Sequence, residues 1–458
     1  MAYYLVLALS CFLAFFIAKS YRHIFYQLAE NSVKALDTIL SAEDDELKLE
    51  LLQTSTTRLI VALLKSFVLI FIVALIIIVS IFSYAFFANI PVSDIDISSV
   101  QSILAISVGA SLPFLIARKK QPKNDYNELS QLLHKMALNN YTLMLKLFKR
   151  EVKRNNRIEK NEQFVIVSGL ARAGTTTLMN SLFKTGQFAS LNYTNMPFIL
   201  SPNLWRKLYQ PKQKEVKERS HKDGIKIGLD SNEALEEYFF KAKTNDSFIN
   251  EHVLDEHDVD AEVYQDYLDY HRLIKTNDNQ LYIAKNNNFL LRYKSIRKLN
   301  QTFLFVILYR QPLFHAASLL EKHQLYKTLQ KEDPFVLQYM NWLGHHEFGL
   351  NQKQFLFHTS TEIEGDKNTL DYWLKIWIDY YQYALTAQNP KTIFVNYEFF
   401  CSNPKNIVNQ ILEKSGKAQT EIDYIPYHNL REITLEHSQE ILHQAEEIYN
   451  ELQMLSRQ

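Results

Sequence analysis

Cysteine is scarce in this 458-residue sequence: Cys11 and Cys401 stand far apart and the chain has no other. Neither a disulfide framework nor a cysteine-based metal site can be assembled from two such residues, and the usage fits a reducing compartment. Excess charge is missing too, since 50 Lys and Arg balance 50 Asp and Glu. A neutral chain is not drawn wholesale to polyanions, so nucleic acid is not expected as a partner. No internal repeat and no low-complexity tract interrupts the sequence. What is present in quantity is aromatic: 26 Tyr and 29 Phe suggest a large core with an aromatic-rich binding face. The length accommodates one catalytic domain plus a separate region.

Charge is absent again from three stretches near the start, residues 1–18, 66–88 and 97–117. The middle one is 23 residues rich in Ile, Phe and Val, long enough to cross a bilayer. The first is short for a span, and its Lys19 and Arg22 follow it, where a secretory signal would carry positive charge before it. The third is weakened by Gly109, Pro113 and several serines. Residues 1–120 are therefore expected to be an all-α transmembrane region in contact with the lipid bilayer. Lys19, Arg22, Arg58, Lys65 and Arg118-Lys119-Lys120 flank the spans on one side, and the 89–96 loop carries only Asp94 and Asp96. By the positive-inside rule, the amino terminus lies outside and everything after the third span is cytoplasmic. Residues 121–160 read as an amphipathic basic linker helix, with Leu129, Leu132, Leu133, Met136, Leu143 and Leu147 on its apolar side. Such a helix suits either an anionic bilayer surface or packing against the following domain.

The most informative segment is 163–186, QFVIVSGLARAGTTTLMNSLFKTG. An apolar β-branched run, Phe164–Val167, gives way to Gly169, then to Arg172, Ala173 and Gly174, and then to Thr175, Thr176 and Thr177 at the start of a helical pattern. Strand, glycine loop and helix start together aim backbone N–H groups at an anion. Gly169 and Gly174 have the spacing of a nucleotide-binding P-loop, but Thr175 occupies the position of its phosphate-clamping lysine. Arg172 supplies a cation within the loop instead, which points toward a phosphate ester other than a hydrolysed nucleoside triphosphate. A second apolar run, 303–309, ends in Arg310-Gln311-Pro312, with Ser318 eight residues beyond Arg310. It reads as a strand buried on both faces, followed by a helix with proline in its first turn. Arg310 at the strand end is suited to gripping a phosphate through two parallel N–H bonds.

Together these two segments resemble the phosphate-binding motifs of sulfotransferases that use 3′-phosphoadenosine 5′-phosphosulfate (PAPS), in particular membrane-associated bacterial members. Residues 191–205, 219–240, 282–299 and 394–412 are similar to other parts of that family, so the likeness spans roughly residues 160–415. Two departures stand out: Ala173 replaces a serine, and Gln311 replaces Asn or Asp, which weakens the local turn chemistry. The resemblance implies a P-loop-like parallel α/β sheet flanked by helices over residues 161–458, and PAPS as co-substrate without a metal. It implies that Gly169, Arg172, Ala173, Gly174, Thr175, Thr176 and Thr177 hold the 5′-phosphosulfate, while Arg310 and Ser318 hold the 3′-phosphate. It also implies a reaction centre near Arg172 and Lys285. The acceptor hydroxyl needs a base, for which His221, Glu233, Glu236 and Glu237 are the candidates.

The expected activity is sulfuryl transfer to a hydroxyl of a membrane-borne or lipid-linked glycan or a lipid, by a multi-pass protein of a bacterial inner membrane. Two other readings are a P-loop kinase or NTPase and a non-catalytic membrane scaffold that retains the nucleotide fold. The missing P-loop lysine counts against the first. The presence of Arg172, Thr175, Thr176, Arg310 and Ser318 together counts against the second.

Overall fold

In the computed structural model, the described residues are 1–41, 45–116, 128–155, 160–208, 217–218, 226–227, 234–421 and 433–456. They pack as two units, Met1–Leu143 and Met144–Gln458. The first is helical: α1 (Ala2–Ser20), α2 (His23–Leu40), α3 (Asp45–Ala88), α4 (Val100–Leu115), α5 (Glu128–Leu138) and the start of α6 (Tyr141–Arg154). Leu7, Cys11, Ile81 and Ala105 form its small core between α1, α3 and α4. Gly109 of α4 lies where a Cβ would come within 2.2 Å of the Ala8 carbonyl oxygen, so glycine is what lets these two backbones approach. The outward sides carry exposed Phe67, Phe71, Leu75, Ile78 and Phe82.

Helices α1 and α3 are long and apolar enough to cross a membrane, but α4 is not. Its 16 residues extend about 24 Å, short of the ~30 Å hydrocarbon thickness. The expected third span, 97–117, is thus a shorter helix than the sequence suggested. The expected 121–160 linker helix is also revised. Its residues 117–127 and 156–159 lie outside the described ones, and a break at Asn139–Asn140 divides the rest into α5 and α6. Lys135 of α5 pairs with Glu30 at 2.8 Å within the first unit. Within the second unit, Phe148 of α6 is fully buried against Phe239 and Tyr270. The Glu151 carboxylate accepts from the backbone N–H groups of Asn203 and Leu204. This half of the segment packs on the domain that follows it.

The second unit is mixed α/β. Its strands are β1 (Phe164–Ser168), β2 (Phe188–Ala189), β3 (Lys217–Glu218), β4 (Lys226–Ile227) and β5 (Val253–Asp255). Then come β6 (Leu281–Lys285), β7 (Leu304–Tyr309), β8 (Gln354–Leu356) and β9 (Thr392–Asn396). Five of them form a sheet in the order β2-β6-β1-β7-β9, every neighbouring pair parallel. The helices α7 (Thr175–Phe183), α8 (Pro202–Leu208), α9 (Glu237–Thr244), α10 (Ala261–Ile274) and α11 (Tyr293–Leu299) lie between or beside strands. They are followed by α12 (Pro312–Glu332), α13 (Pro334–Leu343), α14 (Leu370–Leu385), α15 (Tyr397–Ser402), α16 (Pro404–Lys414) and α17 (Gln439–Ser456). Every residue of β1, β6 and β7 is buried, because helices cover both faces. Val165, Val167, Ile283, Val306, Leu308 and Val395 pack with Leu178 and Leu182 of α7 and Ile411 of α16. On the other face Phe164 stacks on Phe303 at 4.9 Å and Phe305 on Tyr293 at 4.8 Å.

The sheet order fixes where a ligand can sit. Beside β1 are β6 on one side and β7 on the other, so the connections leave β1 and β7 in opposite directions. A crevice opens outside the carboxyl ends of such strands, at the point where the order reverses.

Candidate active site

The chain leaves β1 at Ser168 and turns through Gly169 at φ +143°, Arg172 at φ +71° and Gly174 at φ +96°. A Cβ on Gly169 would approach the Leu308 carbonyl oxygen to 2.4 Å, and one on Gly174 would overlap the Tyr397 ring at 2.1 Å. Both glycines are therefore demanded by close neighbours as well as by backbone conformation. Gly174 then starts α7 without a side-chain cap, leaving the first-turn N–H groups of the helix directed outward. That is the arrangement expected of an anion cradle.

His315 holds the loop from beneath. Its Nδ1 accepts from the Trp377 indole N–H at 3.1 Å, which leaves Nε2–H to donate to the Ala171 carbonyl at 2.7 Å. The ring is wholly enclosed, and burial drives it down to about 3, so it is neutral in this role. Sequence reasoning passed over His315. Its signal was position: on α12 it lies three residues before Ser318 and therefore on the same helical face.

Around this loop the predicted phosphate ligands converge. Lys285, at the end of β6, donates to Thr176 Oγ1 at 3.0 Å. From within the loop, Arg172 Nε reaches Ser318 Oγ at 3.3 Å, so the two predicted phosphate motifs touch one another. Arg310, at the end of β7, has a side chain only 15% exposed and lies 3.6 Å from Glu398 Oε1. Among the described residues its buried Nε has no hydrogen-bond partner, nor has Glu398 Oε2. Burial lowers the arginine's proton affinity and the nearby Arg172 charge adds to this, while Glu398 opposes both. A buried guanidinium nitrogen without a hydrogen bond is a costly arrangement that an anion would relieve.

Gln311 corrects one expectation. Rather than weakening the turn, its side chain accepts from the Phe314 N–H at 3.1 Å and caps α12, with Pro312 at the first helical position. A glutamine reaches the cap as an asparagine would, one methylene further out. Glu398 accepts from the Gln311 N–H at 3.3 Å and thereby ties α15 to this turn.

The acceptor-side candidates fare differently. His221 and Glu233 lie outside the described residues. Glu237 is 3% exposed and forms a bidentate pair with Arg292, at 2.6 and 2.7 Å, while also accepting from Asn286. Although burial pushes its carboxyl up, Arg292 prevails and holds it ionised. Glu236 is 1% exposed, accepts from the Tyr267 hydroxyl, and is raised to about 8 by burial and by the neighbouring Glu237 charge. Glu237 is the counter-ion of a buried arginine, and Glu236 is an enclosed, protonated core group. Among the described residues, no cluster of three or more His, Cys, Asp or Glu is placed to hold a metal ion.

No protein-family model matches the chain and no curated protein matches it. Solved structures similar to it include bacterial sulfotransferases. Sulfotransferase STF1 from Mycobacterium tuberculosis is 14% identical, over 64% of this chain and 76% of that one, with a TM-score of 0.38. STF9 from Mycobacterium avium is 11% identical, over 70% and 76%, with a TM-score of 0.35. A sulfotransferase from Alicyclobacillus acidocaldarius is 11% identical, over 65% and 96%, with a TM-score of 0.29. Similarity of this degree carries no residue roles across, and the roles below rest on the geometry of this chain.

Proposed function

We propose that this protein transfers a sulfuryl group from PAPS to a hydroxyl of a membrane-borne or lipid-linked glycan or a lipid. One observation carries the reading: Arg310, whose buried Nε has no hydrogen-bond partner among the described residues, sits beside a loop whose own arginine already touches Ser318. Two anion positions in one crevice fit a donor with phosphates at both its 3′ and 5′ ends better than a single triphosphate tail. The 173–177 backbone, Thr175 and Thr176 are suited to the 5′-phosphosulfate, and Arg310 and Ser318 to the 3′-phosphate.

In this reaction the acceptor oxygen attacks sulfur in line with the departing 5′-phosphate. As the new S–O bond forms, the bond to the bridging oxygen breaks and its electron pair leaves with adenosine 3′,5′-bisphosphate. Negative charge spreads over the equatorial oxygens and onto the bridging oxygen, where fixed donors are most effective. Lys285 and Arg172 supply those cations, and Lys285 is already oriented by Thr176. The membrane part of the proposal rests on α1 and α3, on the exposed phenylalanines of α3 and on the flanking charges. It assigns the protein to a bacterial inner membrane with the α/β unit in the cytoplasm, where a donor made in the cytosol is available.

Calorimetry with adenosine 3′,5′-bisphosphate and with ATP tests the donor. Binding of the first alone is the expected result; preferential binding of ATP refutes it. Transfer of labelled sulfate from PAPS into fractionated membrane lipids and polysaccharides of the host identifies the acceptor, and label found only in soluble products would refute the membrane assignment.

A further inference from the structure

Glu398 is a paradoxical neighbour for a phosphate site, because a negative charge there weakens the pull of Arg310 on any anion. It stands in the first turn of α15, which Asn396 fixes by accepting from the Phe399 N–H at 2.8 Å. Its carboxylate reaches the end of β7, where Oε1 accepts from the Gln311 N–H at 3.3 Å and lies 3.6 Å from Arg310 Nε. Oε2 is buried and, among the described residues, receives no hydrogen bond. Two phenols feel the charge of this carboxylate, but each has a partner of its own. Tyr309 pairs with Ser456 Oγ at 2.9 Å, and Tyr449 accepts from Asn396 Nδ2 at 3.0 Å. A carboxylate whose only task was to balance an arginine would meet it squarely, as Glu237 meets Arg292 at 2.6 and 2.7 Å. Glu398 stands off from Arg310 instead and keeps one oxygen for another donor.

We propose that Glu398 Oε2 accepts the ribose 2′-hydroxyl of the donor nucleotide and so selects a ribonucleotide, an assignment that rests on the sulfuryl-transfer reading. In a 3′-phosphorylated ribose the 2′-hydroxyl and the 3′-phosphate sit on adjacent carbons, on the same face of the ring. A phosphate held by Arg310 therefore carries that hydroxyl to whatever group lies beside the guanidinium, and Glu398 lies there. The hydroxyl supplies the donor that Oε2 lacks, and the carboxylate, which only accepts, fixes its direction. An acidic side chain reads the same hydroxyl in dinucleotide-binding parallel sheets, and the 2′-hydroxyl is what separates a ribonucleotide from its deoxy counterpart. Selection follows from the cost of the wrong ligand: a nucleotide without the hydroxyl still covers Oε2 but leaves it unpaired. The carboxylate thus gives up some attraction for the phosphate and gains discrimination at the neighbouring carbon.

The test titrates full-length protein in liposomes with adenosine 3′,5′-bisphosphate and with its 2′-deoxy analogue. Wild type should bind the deoxy ligand about tenfold more weakly, the lower end of what a hydrogen bond to a charged group contributes, since the Glu398 side chain is 24% exposed. E398A should bind the two ligands within about twofold of each other. E398Q, with a neutral acceptor, should fall between these values. A role confined to holding Arg310 or the α15 turn would weaken both ligands alike and leave their ratio where the wild type has it. Equal affinities in the wild type, or the wild-type ratio retained in E398A, overturns the assignment; if E398A does not fold, an undiminished ratio in E398Q does so. Failure of the wild type itself to bind adenosine 3′,5′-bisphosphate overturns the donor reading instead.

Discussion

Arg310→Ala is the sharpest perturbation of the proposed donor site. The side chain is largely buried and its Nε has no hydrogen-bond partner among the described residues, so a phosphate placed against it gains charge-assisted contacts. Such a contact contributes about 1.5–3 kcal/mol. Glu398, 3.6 Å away, already neutralises part of the charge, which places the expected loss near the middle of that range. About 2 kcal/mol corresponds to a roughly 30-fold rise in Kd for adenosine 3′,5′-bisphosphate. Arg310→Lys keeps a charge but not the planar fork, and should cost about tenfold. Removing Arg310 also strands the Glu398 carboxylate, which would itself repel a phosphate. The double variant R310A/E398Q separates the two effects: recovery of affinity would trace the loss to repulsion, and persistent weakness to the missing contact. Isothermal calorimetry reads all four proteins. A Kd for R310A within threefold of the wild type would show that the 3′-phosphate binds elsewhere.

Ser318→Ala removes a neutral hydroxyl that touches Arg172, and should weaken bisphosphate binding by about 1 kcal/mol in the same titration. Lys285→Gln should reduce kcat by about 100-fold in a labelled-PAPS assay, with a much smaller change in bisphosphate affinity, because its charge is needed where charge develops. The fold should lose stability below about pH 6.5. His315 is held down to about 3, and His257, His323 and His346 to about 4, chiefly by burial. Their contribution is complete above the unfolded value and disappears as pH falls toward those native values. Glu236, raised to about 8, and Asp379, raised to about 6, act in the opposite sense, their contributions fading as pH rises through those values, but they are two groups against four. Denaturant titrations at pH 7.5 and 5 check this, and equal midpoints would refute it. Finally, a tag in the 90–96 loop should be reached from outside intact cells while one at Gln458 is not.

The proposed donor side of this crevice was legible because its residues are local in sequence. Gly169, Gly174 and the threonines lie within nine residues, and Arg310 and Ser318 within another nine. Each group is aimed by one strand end and one helix start, so reading the strand and the helix already places the ligands. Strands β1 and β7 were equally plain, since burial on both faces leaves an uninterrupted apolar run. The short β5 and β8, and the division of the linker at Asn139–Asn140, leave no such periodic trace.

On the acceptor side, the role of a carboxylate is decided by whatever lies opposite it, and that partner is distant in sequence. Glu237 looked available until Arg292, 55 residues on, was found bound to both of its oxygens. Glu347 attracted no attention within a Gly-His-His-Glu-Phe run, because the groups that act on it, Asn287 and Lys285, lie sixty or so residues earlier. The same contrast separates His315 from His345. Both stand in segments that follow a motif or a helix end, but the first has each ring nitrogen engaged and serves the loop, while the second faces the Glu347 carboxylate at 3.5 Å through Nδ1. What a titratable residue does here follows from which of its atoms remain unpaired once the sheet has brought strand ends together. That is a property of the sheet order β2-β6-β1-β7-β9, and no window along the chain contains it.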